Sequence, residues 1–372
     1  MNCRILLISL LVISGLSSCR FDGSEKRETK DWESVALGYA KEFSLKKRGD
    51  STRLTVYMDE SHTESVSQSF TLVNRASEKS GNSGVIQVPC KRIVCISSTQ
   101  LAYFFALDDI QNIVGINSSR YLFNEEMNER VNSGKVMRLG KEGNFSLEII
   151  ASLDPDVIFV SPFKRGGYDA LRNLGIPLVP MAAYNEKTPL GRAEWIKMMS
   201  LFVGKTADAD SIFKCIEKRY LELKALTADV NHRPKIFSGK LRSGSWYLPG
   251  GDSFYAHYFR DAGGEYVIKN DDQGAYPVDF ETIYRKAVHA DFWRVVTPEK
   301  PGISLEEFLS QDHRYADFKA AKDGNIILCN IREKPFYEQA AVKPEVLLAD
   351  YIHFLHPGLL TDYKPFFYEK LK

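Results

Sequence analysis

The stretch between Pro189 and Pro234 constrains the fold more than any other part of the chain, because it holds no further proline. Proline within a helix removes a hydrogen bond and clashes with the turn before it. The spacing therefore predicts helix from Thr188 to His232. In its second half Ile212, Ile216, Tyr220, Leu223 and Leu226 form one helical stripe, with Lys214, Glu217, Lys218, Glu222 and Lys224 on the other faces. The first half, Arg192 to Val203, is apolar on more than one side and is expected to lie against protein all round. Gly204 is where the segment would kink or break. Unbroken, the helix would run about 60 Å at roughly 1.5 Å per residue, longer than one small domain is wide. On either side, short β-like runs alternate with helical ones. Two α/β lobes bridged by one helix account for this pattern; the alternative is a long helix inside a single domain.

Residues 1–18 are expected to be a leader. Arg4 supplies a positive charge, and Ile5 to Ile13 form an apolar run too short to span a bilayer. Leu16-Ser17-Ser18-Cys19 then resembles a bacterial lipobox, which predicts lipid on Cys19; the alternative is an ordinary secretory signal with a chance cysteine. Acyl chains there would anchor an exported protein to a membrane surface, on the periplasmic or another extracytoplasmic side, through the polar 20–31 tether. No later stretch is long and apolar enough to cross a membrane. Cys90, Cys95, Cys215 and Cys329 have neither CxxC spacing nor a zinc-type Cys/His cluster, and are expected to be small buried residues. A length of 372 residues allows two or three domains, and a formal charge of +1 argues against nucleic acid as a partner.

Residues 19–90 comprise the tether and a β-rich extension. Within it Phe43 to Lys47 and Thr52 to Met58 flank a hairpin turn at Arg48-Gly49-Asp50-Ser51. The first lobe is expected at 91–188, the bridging helix at 189–232 and the second lobe at 233–372. In the first lobe the strand candidates are Arg92–Ile96, Ile113–Ile116, Val136–Leu139, Val157–Val160 and Ile176–Val179. In the second they are Lys235–Ser238, Trp246–Leu248, Tyr266–Ile268, Phe292–Val296 and Ile326–Cys329. Helical stretches between them imply mainly parallel sheets, whose ligands bind beyond the carboxyl ends of the strands. Those ends hold Thr99, Asn117 to Tyr121, Lys141, Ser161 to Arg165 and Tyr184 in one lobe. In the other they hold Arg242 to Tyr247, Tyr276 and Arg332.

Several segments resemble one family, the binding proteins that deliver iron–siderophores, haem or cobalamin to ABC importers. Lys91-Arg92-Ile93-Val94 looks like its opening strand. The run from Phe145 through Ser146-Leu147-Glu148-Ile149-Ile150 to Asp154-Pro155-Asp156-Val157-Ile158 is close to its most characteristic segment. Leu174-Gly175-Ile176-Pro177, Asp261-Ala262-Gly263-Gly264 and the Glu281 helix running into Ala290-Asp291 follow in order, so the resemblance covers about 91–356. It implies an α/β fold of class III, two Rossmann-like lobes bridged by one long α-helix, here with a β-rich N-terminal extension. It also implies a monomer that binds without catalysis or cofactor, partnered by an ABC permease and its ATPase. One surface glutamate per lobe would dock on the permease, by position Glu148 and Glu281. An acid in a first helical turn also needs no partner, since the helix dipole favours it there.

The ligand is expected to be a metal chelate, an iron–siderophore first, then cobalamin or haem. Residues 91–188 contain no histidine, which disfavours a lobe-bridging site for free zinc or manganese. The candidates for binding are Thr99, Arg120, Tyr121, Lys164, Arg165, Tyr184, Trp246, Tyr247, Tyr276 and Arg332, with Arg242 also basic. Flat rings suit a large chelate and guanidinium groups suit its negative charge. Core packing and solvated surface charge are the competing roles for these residue types. Trp246 and Tyr247 are the rings favoured for the site, beside the Ser243-Gly244-Ser245 turn.

An enzymatic alternative exists. Gly251-Asp252-Ser253 with Asp350-Tyr351-Ile352-His353 resembles blocks of a lipase/esterase family, with Ser253 as nucleophile, His353 as base and Asp350 orienting it. Both matches are short, and about 160 residues of α/β pattern precede a block that opens that family's domain. The competing role is a Gly-rich turn with Ser253 capping the Phe254 helix.

Overall fold

Short runs of β-branched and aromatic residues, each followed by a small-residue turn and a helix, build two parallel sheets. The computed structural model describes residues 31–58, 67–76, 84–141, 144–161 and 168–372. Cys19, Lys164 and Arg165 lie outside the described residues. The first sheet runs Leu178–Pro180, Val157–Val160, Ile93–Cys95, Ile113–Ile116, Met137–Arg138, all parallel. The second runs Glu265–Tyr266, Lys235–Ser238, Phe292–Thr297, Ile326–Asn330, with Glu369–Lys370 antiparallel at its edge. Strand order reverses between Ile93–Cys95 and Val157–Val160 in one lobe, and between Lys235–Ser238 and Phe292–Thr297 in the other. Such reversals open a crevice at the carboxyl ends of the strands.

The single bridging helix expected over 189–232 is two helices, Pro189–Leu201 and Thr206–Leu226. Thr188 caps the first through Gly191 N–H, and Pro189 sits at its first turn, where its missing N–H costs nothing. Gly204, at φ 72°, takes the left-handed conformation that ends it. The chain then folds back: Lys197 Nζ lies 4.6 Å over the Phe213 ring, although the two are far apart in sequence. The Pro189 helix is buried on nearly every side, as its composition demanded, from Ala193 and Trp195 to Met198 and Met199. On the Thr206 helix, Phe213, Ile216, Tyr220 and Leu223 face the core, while Leu226 is exposed. Tyr220 fixes this helix to the second lobe by donating to Asp261 Oδ2 at 2.8 Å.

The extension is a five-stranded sheet of Glu33–Val35, Phe43–Arg48, Ser51–Tyr57, Ser67–Asn74 and Val85–Val88, the last strand parallel to its neighbour and the others antiparallel. Gly49, at φ 55°, turns the expected hairpin. It docks on the Pro189 helix, on the segment just before it and on the first lobe. The buried Glu194 carboxylate accepts the backbone N–H groups of Gly38, Tyr39 and Ala40 at 2.9, 2.7 and 2.8 Å. Glu186 accepts those of Lys41 and Glu42, and the indole N–H of Trp195 at 2.8 Å. Phe43 packs edge-on against Trp195 at 4.9 Å, and Arg75 pairs with Asp156 of the first lobe at 2.6 Å.

One continuous core therefore runs through the extension, both helices and both lobes, with a smaller cluster (Val94, Ile96, Ile150, Ile158) on the other face of the first sheet. Trp32–Lys372 forms one compact unit. The lobes keep separate sheets, but they are not held apart by a lone strut.

Glu194→Ala would strand three backbone donors and Lys197, whose Nζ lies 2.7 Å from the carboxylate. We expect a loss of about 2–5 kcal/mol in urea unfolding and faster amide exchange over 38–42. An unchanged midpoint would mean that Phe43 packing alone docks the extension.

Candidate functional site

The lobes meet along a seam of aromatic and charged side chains. Tyr121, just beyond strand Ile113–Ile116, pairs with Tyr337 of the second lobe at 6.1 Å between ring centroids. Behind them the Glu338 carboxylate, 1% exposed, accepts the backbone N–H groups of Phe123 and Asn124 at 2.8 and 3.1 Å. Tyr103 donates to the carbonyl of Arg192, and the Arg192 guanidinium lies 4.7 Å over the Phe254 ring. Lys187 and Asp252 pair across the same seam at 3.2 Å. Burial pushes the Glu338 carboxyl up to about 7, against the pull of its two N–H donors.

Beneath the seam lies a charge that sequence reasoning missed. Arg294 faces Ser238 across the reversal in the second sheet and is 5% exposed. Its Nε donates to Tyr368 Oη at 2.8 Å and its Nη1 to Ser238 Oγ at 3.0 Å, while Nη2 has no partner. Tyr255 covers the guanidinium at 3.9 Å and stacks on Phe254 at 4.2 Å. Burying an arginine without a counter-ion costs several kcal/mol, and each unmade hydrogen bond about 1–3 more. The signal in the sequence was one basic residue inside the apolar strand Phe292–Thr297.

The residues expected at the strand ends are distributed as follows. Thr99 is half-buried in the first turn of helix Ser98–Ala106, which Ser97 and Gln100 close as a capping box. Arg120 is exposed, 5.3 Å from the Tyr121 ring. Tyr184 is half-buried; burial raises its pKa and nearby Glu42 of the extension adds to the rise. Tyr247 is 47% exposed, Arg332 is exposed, and half-buried Tyr276 accepts from Asn270 Nδ2 at 2.7 Å.

Trp246 requires a correction. It is fully buried, its Nε1 donating to the Ser238 carbonyl, and its ring stacks on Trp293 at 5.5 Å among Phe237, Phe280, Tyr315 and Phe318. Ser243 and Gly244, at φ 51° and 82°, make a two-residue hairpin turn of fixed twist rather than a flexible loop. Strand alternation then sends Trp246 into the core and Tyr247 to the surface.

Glu148 and Glu281 are both exposed in first helical turns, capped by Ser146 and Asp279. Glu281 lies 4.0 Å from Arg314, which is itself held by Asp312. The serine, aspartate and histidine of the hydrolase alternative have other partners. Ser253 caps helix Phe254–Asp261 and donates to the Gly250 carbonyl at 2.7 Å. Asp350 accepts from Tyr363 Oη and from the backbone of Phe366, Phe367 and Tyr368, and His353 Nδ1 lies 3.3 Å from the Leu360 carbonyl. Among the described residues, no cluster of three His, Cys, Asp or Glu side chains is placed to hold a metal. Cys90, Cys95 and Cys329 are buried, but Cys215 is exposed, at a groove of about 710 Å³ that Phe105, Ile212 and Val342 also line.

Residues 93–332 match a family model described as periplasmic binding protein. An uncharacterised lipoprotein of Methanocaldococcus jannaschii is 28% identical over 87% of this chain and 79% of its own length. The periplasmic haem-binding protein HutB of Vibrio cholerae superposes with a TM-score of 0.58 at 16% identity, over 72% of this chain and 99% of its own. The molybdate-binding protein MolA of Haemophilus influenzae does so with 0.61 at 17% identity, over 75% and 90%. At such identities the superpositions establish the shared fold.

Glu338 tests the seam by pH. Its folded pKa lies above the ordinary 4.5, so the fold favours the protonated form; its contribution to stability is full below 4.5 and lost as pH rises through about 7. Glu338→Gln should therefore lose less stability than the wild type between pH 5 and 8 in urea unfolding. Identical slopes would show that the carboxyl keeps its ordinary pKa.

Proposed function

The chain belongs to the periplasmic binding protein family, and on that premise we propose that it receives a metal chelate in the crevice between its lobes. An iron–siderophore is the first candidate, cobalamin or haem the next. The family works with an ABC permease and its ATPase, and this chain would hand its solute to them without chemistry. One observation carries the proposal: both sheets reverse strand order, and around the seam between the lobes stand Tyr121, Tyr255 and Tyr337 with Arg294 beneath. Rings of this kind offer flat faces to a chelate, and a guanidinium answers negative charge. The name of the archaeal lipoprotein relative supports an extracytoplasmic, membrane-anchored location, with lipid on Cys19 as the proposed anchor.

Direct titration of the protein with ferric siderophores, haem, cobalamin and zinc, followed by tryptophan fluorescence, tests the ligand class. We expect saturable quenching by one of the chelates, weakened roughly 3- to 10-fold in Tyr337→Ala. A response to zinc and to none of the chelates would replace the class with a free ion.

Docking is the second part of the proposal. Glu148 and Glu281 offer exposed carboxylates on opposite lobes, one in each first helical turn, as charge partners for permease arginines. Glu148→Lys or Glu281→Lys should abolish uptake in cells while solute affinity stays that of the wild type. A parallel loss of affinity would instead assign the glutamate to the binding site.

A further inference from the structure

Arg294 carries a charge that the protein itself does not answer. It makes no ion pair among the described residues, and its Nη2 has no hydrogen-bond partner. Asp350, a buried carboxylate elsewhere in the second lobe, is already committed: Tyr363 Oη and Phe366 N–H use one oxygen, Phe367 and Tyr368 N–H the other. A purely structural role would be met by an apolar side chain of similar length, without desolvating a cation. Position adds a second argument. Arg294 and Ser238 are cross-strand neighbours at the strand-order reversal, with Ser238 the last residue of its strand and Arg294 in the middle of its own, one layer below the carboxyl ends where such sheets receive ligands. Tyrosines close in the guanidinium: the Tyr255 face at 3.9 Å, on a residue that is only half-buried, with the Tyr368 and Tyr351 hydroxyls on its other sides. A second arginine stands beyond the same ring pair: Arg192 lies over Phe254 at 4.7 Å, and its Nε is also without a partner.

We infer that Arg294 is the anion-recognising residue of the crevice, taking a negatively charged oxygen of the bound solute on Nη2 once the Tyr255 ring rotates aside. The solute class is thereby narrowed to chelates or oxyanions that expose carboxylate, catecholate or oxo groups. Arg192 serves as a second positive group on the other side of the Phe254–Tyr255 pair. This rests on the crevice being the solute site, and it specifies which chemistry that site selects.

The test compares wild type, Arg294→Met and Arg294→Lys against four probes: a ferric tricatecholate, haem, molybdate, and cyanocobalamin, which carries no net charge. We expect at least one anionic probe to bind the wild type and to lose roughly 10- to 100-fold in affinity in Arg294→Met. Arg294→Lys should keep part of that affinity. The unliganded Met variant should melt no lower than the wild type, since a buried cation has been removed. Equal affinity for the anionic probe in wild type and Arg294→Met would overturn the inference and leave the receptor function standing. So would a lower melting temperature with affinity unchanged, which would make Arg294 structural. Binding of cyanocobalamin alone would also end it without touching the receptor function. Binding of none of the four would remove both.

Discussion

Backbone N–H groups outside helices and sheets need acceptors when they are buried, and in this protein buried glutamates supply them at the joints. Glu194 and Glu186 take five such groups from the segment Gly38–Glu42, and Glu338 takes two from Phe123 and Asn124. Each carboxylate belongs to one part of the molecule and its donors to another. The extension is thereby fixed to the Pro189 helix, and the second lobe to the first. At Glu194 these hydrogen bonds are charge-assisted and outweigh burial, whereas at Glu186 and Glu338 desolvation opposes the charge. Burial raises Glu186 to about 6 and Glu338 to about 7, whereas Glu194 is held below its ordinary value, against burial, by Lys197 and its three N–H donors.

These joints explain why the helical pair can fold back on itself and still unite two lobes. A single long helix would need no lateral support. A pair broken at Gly204 relies on what packs across it, and Tyr39 does so directly. Its backbone N–H reaches Glu194 and its hydroxyl reaches Glu217 at 2.6 Å, tying the two helices together from the extension side. The extension is thus part of the scaffold that sets the two lobes.

Along the seam with the first lobe, the second lobe segregates its aromatic residues. On one face of the second sheet Phe237, Trp246, Trp293 and Phe318 stack into a core that leaves no ring free. On the other face Arg294 lies under Tyr255, near hydroxyls rather than carboxylates. Phe292–Thr297 carries both, Trp293 to one side and Arg294 to the other, because successive strand residues point to opposite faces. One face stabilises the lobe, and the other holds its unmet polar capacity.

Much of the backbone plan was readable from local chemistry. Strands Ile113–Ile116, Val157–Val160 and Lys235–Ser238 have the bounds their apolar runs predicted, and Gly204 breaks the helical stretch where it should. Ser253 caps the Phe254 helix, the competing role its place in the Gly-rich turn implied, because capping depends on residues three apart. The order of segments around the central helices also carried a family likeness that the match over 93–332 bears out. What the sequence could not decide were matters of partnership between distant residues. Nothing local distinguishes Trp246, which packs on Trp293, from Tyr247 beside it, until the hairpin twist and the opposing sheet are known. Arg294 reads as one charge in an apolar strand; its missing counter-ion is visible only when every neighbour is in place. The fold-back at Gly204 was likewise hidden, since a glycine permits a turn but the packing of Phe213 against the Pro189 helix is what selects it.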